Sequence, residues 1–129
     1  MKTLAEFRSD KFPPCDEDER INPGIWGKRL ADYLVAHLAT HGLIADMPIA
    51  EDWGWYIPVE VDSAALALCC GHQDGDDDEF LVFTDPAQPV TSKWFRTRDV
   101  AAQLARLLGA LETILSTDPD IRGLSWRAP

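Results

Sequence analysis

Long apolar runs, cysteine and basic residues are all scarce in this chain, and each scarcity excludes a class of protein. No stretch of the 129 residues approaches the roughly 20 consecutive apolar residues that a membrane-spanning helix requires. The opening MKTLAEFRSDKF carries Glu6, Arg8 and Asp10 where a secretory leader needs an uninterrupted apolar stretch, so the sequence predicts a cytoplasmic protein without a membrane partner. The three cysteines, Cys15, Cys69 and Cys70, are odd in number, and strand geometry turns the vicinal pair to opposite faces. Reduced thiols are therefore expected in place of a disulfide framework. Lys and Arg number 12 against 22 Asp and Glu, a net charge of −10 at pH 7. Nucleic-acid affinity comes largely from counterions displaced by Lys and Arg, so no nucleic-acid partner is expected. The surplus of acid instead favours solubility, a basic protein partner or cation binding.

Signatures of catalysis are missing too. Ser63, Ser92 and Ser125 stand in no nucleophile-elbow sequence, and pairing Cys69 or Cys70 with His72 rests on proximity alone. There is no phosphate-cradling glycine loop; Asn22, Pro23 and Gly24 with Lys28 and Arg29 nearby suit an anion, and a surface helix start explains them equally well. Zinc asks for four ligands with cysteine pairs spaced to embrace it, which Cys69, Cys70 and His72 do not supply, and no motif brings Cys15, His37 or His41 to them. The acidic run Asp74 to Glu79 alternates Asp74, Asp76 and Asp78 like a calcium loop. An EF-hand, however, needs glycine at the sixth position and usually glutamate at the twelfth, where this chain has Glu79 and Asp85. A solvated hairpin tip is the better reading. No catalytic residue, metal or cofactor is assigned, and the balance is against an enzyme.

What is present reads as one domain over residues 1–129, with 46% apolar and 26% charged residues. Thr3 to Arg8 alternates as a short strand, and Ser9 to Ile21, with Pro13, Pro14 and the run Asp16 to Glu19, reads as an exposed loop. Asn22 and Pro23 predict a helix start. The stripe Trp26, Leu30, Tyr33, Leu34, His37 and Leu38 carries that helix to about Thr40, before Gly42. Trp53 to Val61 alternates as a strand, with Pro58 placing it at an edge or bulge. Ala65 to Cys70 and Phe80 to Thr84 read as buried strands joined through the polar His72 to Glu79. Asp85 to Lys93 reads as a loop delivering Trp94 and Phe95 to a second helix, Arg98 to Ser116, capped by Thr97. Its stripe is Val100, Leu104, Leu107, Leu108, Leu111, Ile114 and Leu115, and Asp118 and Pro119 end it before a last strand, Ile121 to Trp126. The expected fold class is α+β, in the order β-α-β-β-β-α-β. A mainly antiparallel sheet of about five strands would carry two helices on one face.

One segment combines acidity with aromatic surface: Glu51, Asp52, Trp53, Gly54, Trp55. The alternation puts both indoles on one side of a strand. There they would offer flat faces and N–H donors, beside carboxylates suited to a cationic or hydroxyl group. Tryptophans packed under the helices are the competing reading. This segment, preceded by Asn22-Pro23-Gly24 and Gly27-Lys28-Arg29-Leu30, resembles a family of uncharacterised bacterial proteins over about 35 residues. That resemblance implies no activity, but it suggests that the two segments form one surface. The expected function is a noncatalytic protein-binding or regulatory domain, in the manner of an immunity or inhibitor protein, with Glu51, Asp52, Trp53 and Trp55 as binding residues. The rival is a small-molecule enzyme or sensor with its pocket at that segment. Oligomeric state, a homodimer included, stays open.

Overall fold

The computed structural model describes residues 1–72, 75–93 and 96–129, of which 90–93 and 96–98 by their backbone alone. Asp74 of the acidic run and the pair Trp94 and Phe95 thus lie outside the described residues. The chain runs through β1 (Leu4–Arg8), α1 (Asp16–Ile21), α2 (Lys28–Thr40), β2 (Ile49–Glu51), β3 (Gly54–Val61) and β4 (Ala64–Gly71). It continues through β5 (Glu79–Asp85), β6 (Val90–Lys93), β7 (Arg96–Asp99), α3 (Ala101–Thr117) and β8 (Arg122–Arg127). Six strands form one antiparallel sheet in the order β2-β3-β4-β5-β1-β8, and β6 and β7 pair as a separate hairpin. The α+β class, the antiparallel sheet and the two long amphipathic helices match the expectation. Helix α1, the short edge strand β2 and the β6–β7 hairpin are additions to it.

The core lies between the two long helices and one face of the sheet. Register sets that face: Trp55 opposes Cys70, Ile57 opposes Leu68, Cys70 opposes Val82, and Val82 opposes Ala5. Leu30, Ala31, Leu34 and Leu38 of α2 and Leu107, Leu111, Ile114 and Leu115 of α3 are buried in the same cluster. Burying a leucine side chain is worth about 1.5–3 kcal/mol, so these two stripes hold the layers together. Gly42 takes φ +75° just past α2, the left-handed position that suits glycine after a helix.

Three boundaries move for physical reasons. The expected loop Ser9 to Ile21 contains α1, because Asp18 caps it: its carboxylate accepts from Cys15 N–H (3.1 Å) and the Cys15 thiol (3.2 Å). Helix α2 begins at Lys28, not Asn22, since Asn22 ends α1 by donating its N–H to Asp18 O. Thr97 lies in β7 and α3 starts only at Ala101, whose N–H donates to Asp99 Oδ1 (2.9 Å). Pro58 falls beyond the stretch of β3 paired with β2, and its carbonyl accepts from Asp46 N–H. The missing proline donor is therefore harmless there.

Candidate functional site

The segments around Gly27 and Trp55 do meet, through a buried carboxylate. Asp18 Oδ1 accepts from Gly27 N–H (3.2 Å), Lys28 N–H (3.1 Å) and the Trp55 indole N–H (3.1 Å). Burial is the largest single influence on Asp18 and favours its neutral form, yet the donors from Cys15, Lys28 and Trp55 outweigh it and hold the pKa below the usual carboxylate value. Asn22 Nδ2 donates to Glu51 O (2.6 Å), Lys28 Nζ lies 5.7 Å from the centre of the Trp55 ring, and Trp26 stacks on His72 at 3.9 Å. These contacts join α1, the start of α2 and the β2–β3 hairpin into one joint, with Asp18, Gly27 and Trp55 buried at its centre. Trp55 is part of that joint, enclosed in the core.

Trp53 goes the other way. It occupies the two-residue turn between Glu51 and Gly54, which are paired across β2 and β3, and its ring packs on Phe83 at 5.8 Å. Phe83 belongs to the sheet face turned away from the core, so the two indoles lie on opposite faces and the expectation of a shared side is corrected. The turn interrupts the period-two alternation one residue before the strand begins.

On that outer face a row of directly opposed residues crosses the sheet: Ile49, Tyr56, Cys69, Phe83 and Leu4. Part of the row opens into a cleft of about 390 Å³ lined by Trp53, Tyr56, Cys69, Phe83, Asp85 and Ala87, among others. Tyr56 OH donates to Asp85 Oδ2 over a long 3.4 Å. Burial, then the Asp85 carboxylate, raises the Tyr56 phenol; burial, then Asp85 and Glu51, pushes the Cys69 thiol up to about 12. Cys69 is accordingly a protonated, apolar floor near neutral pH, not a nucleophile. Comparison with protein-family models, curated proteins and solved structures gives no match.

Of the four residues expected to bind, Trp53 lines the cleft and Glu51 stands on the same face beside it. Asp52 is exposed at the turn, and Trp55 belongs to the buried joint. Tyr56, Phe83 and Asp85 were not anticipated. Alternation alone places Tyr56 opposite Trp55, and the pairing of β4 with β5 brings Phe83 and Asp85 near it.

The remaining candidates resolve separately. Cys69 and Cys70 face opposite sides of β4, and His72 is buried with Nδ1 hydrogen-bonded to Glu79 O (2.7 Å). Among the described residues no three His, Cys, Asp or Glu side chains are grouped to hold a metal ion. Asp76, Asp78 and Glu79 gather on Arg8, and Asp78 also receives Arg122 (2.8 Å). Arg127 pairs with Glu6 (2.8 Å) on the same side of the sheet. Among the described residues no helix is long and apolar enough to cross a membrane.

Proposed function

We propose that this is a noncatalytic binding or regulatory domain of the bacterial cytoplasm, acting on a basic protein partner in the manner of an immunity or inhibitor protein. The observation that carries this reading is the outer-face cleft, where Trp53, Tyr56 and Phe83 supply aromatic surface and Glu51 and Asp85 supply negative charge. Aromatic anchors in a partly formed pocket, with carboxylates beside them, are what a protein partner of opposite charge uses for affinity and orientation. The protonated Cys69 at the floor weighs against nucleophilic chemistry there. A net charge of −10 favours the same class of partner and opposes nucleic acid.

Affinity capture from the native host, at low and moderate salt, tests the reading with wild-type protein and Trp53→Ala side by side. A partner retained by the wild type and lost by the variant is expected. Equal retention by both, or no partner under either condition, would overturn it. The aromatic lining of the cleft with a carboxylate beside it supports a second reading, a small-molecule sensor. That reading predicts a metabolite that raises the melting temperature of the wild type but not of Trp53→Ala.

A further inference from the structure

Resting on that reading, we propose that the cleft receives one arginine side chain of the partner, its guanidinium lying against the aromatic walls and facing the Asp85 carboxylate. The register makes the space. Tyr56 and Phe83 both oppose Cys69, one on each side, so they stand two strand spacings apart, about 9–10 Å. Between them the buried Cys69 thiol forms the floor. Trp53, folded over from the β2–β3 turn, packs on Phe83 and forms a third aromatic wall.

The chemistry selects the occupant. A purely apolar ligand would find Asp85 in the lining and Glu51 close enough to raise both Tyr56 and Cys69. An anion would be repelled by the same pair. A flat cation meets both features, since its faces lie on aromatic rings and its edge N–H groups point at a carboxylate. Arginine fits better than lysine because the guanidinium is planar, weakly hydrated and forked, whereas an ammonium is a strongly hydrated point charge. The arginine stem is apolar enough to follow Ala87 and the rim of the cleft.

The test uses the full chain labelled with ¹⁵N, following the Trp53 indole N–H resonance, which Trp53→Phe identifies. The probe is the capped tripeptide acetyl-Gly-Arg-Gly-amide, beside versions carrying citrulline, lysine or norleucine in place of arginine. A saturable shift of Trp53 with the arginine peptide is expected, with the citrulline and norleucine peptides weaker by about tenfold and lysine intermediate. Asp85→Asn and Glu51→Gln should each weaken the arginine peptide severalfold. Glu112→Gln, which removes the same charge from the exposed face of α3, should change it less than about twofold. Glu51 is an exposed residue at the end of β2, so Glu51→Gln keeps the test valid if Asp85→Asn disturbs the fold.

Four results would overturn the proposal: no saturable shift, citrulline or norleucine binding as tightly as arginine, lysine matching arginine, or Glu112→Gln weakening binding as much as Glu51→Gln. A captured partner that is lost by Trp53→Ala, combined with any of these, sinks the arginine assignment alone and leaves the binding-domain reading standing. A partner retained equally by Trp53→Ala sinks that reading instead.

Discussion

Asp18 shows how one side chain decides the path of the chain around it. Its two oxygens accept from Cys15 N–H, the Cys15 thiol, Gly27 N–H, Lys28 N–H and the Trp55 indole, groups from three separate elements. Replacing it with alanine leaves these donors without the acceptor that replaced water, and an unmet buried polar group costs about 1–3 kcal/mol. Asp18→Ala should therefore lose about 3 kcal/mol or more in urea unfolding, and Asp18→Asn, which turns a donor toward donors, should not restore it. A loss under about 1 kcal/mol would show that the joint is held by packing alone. The cysteines allow a second check. Burial, the larger influence, keeps both β4 thiols protonated, whereas Cys15 is partly exposed. An aromatic disulfide reagent near neutral pH should label one thiol per native chain, at Cys15, and all three only after unfolding. Rapid labelling of Cys69 in the native protein would contradict a closed floor in the outer cleft.

Between elements, Asp118 does for the end of α3 what Asp18 does for the start of α2. It accepts from Tyr33 OH of α2 (2.6 Å) and Lys11 Nζ (2.8 Å), while Asp120 N–H closes its other oxygen (2.8 Å). Burial alone would raise its pKa, but the Lys11 and Tyr33 hydrogen bonds bring it down to about 2. A carboxylate depressed in the folded state contributes stability that is whole above its unfolded value near pH 4 and is lost as the pH falls toward about 2. That contribution is about 2 kcal/mol. The wild type should exceed Asp118→Asn by about this much at neutral pH, with the gap narrowing as the pH falls from about 4 to about 2. A constant gap would mean that the residue acts through shape. Gly54 makes a harder junction: its φ is +150°, and an added Cβ would lie 2.4 Å from Cys70 O. Gly54→Ala combines backbone strain with a collision against main chain and should cost about 2–4 kcal/mol or block folding, read by thermal unfolding. These junctions explain what the sequence could and could not reveal. The stripes of α2 and α3 and the alternation of β3 to β5 are local periodicities and were legible. Helix α1 was hidden because its cap, Asp18, looks like one acidic residue in a solvated run until Gly27 and Trp55 meet it. The true start of α2 was masked by an Asn-Pro signal whose Asn22 already ends α1.

At the scale of the molecule, the helices cover one face of the sheet and leave part of the other as an aromatic cleft beside Glu51 and Asp85. Half of that site was readable. Glu51 and Trp53 stand together in the sequence, whereas Phe83 and Asp85 reach them only through the pairing of β4 with β5. On the proposed reading the same surplus of acid acts on stability and on binding, with opposite consequences under salt. Arg8, Arg122 and Arg127 are engaged with carboxylates, and 22 acidic residues against 12 basic ones leave a surplus of ten negative charges repelling one another in the folded chain. Raising ionic strength from about 0.01 to about 0.15 M shortens the screening length from about 30 to about 8 Å. Repulsion among distant surplus carboxylates is then removed, while pairs in contact near 3 Å are weakened less. The melting temperature should therefore rise over that range. Attraction to the proposed basic partner would be screened by the same change, so its association rate should fall while the protein becomes more stable. Measuring both in one salt series separates the causes. A partner whose binding is insensitive to salt would have to be held by the aromatic walls alone, and a melting temperature that falls would mean that the ion pairs around Arg8 and Arg122 outweigh the general repulsion.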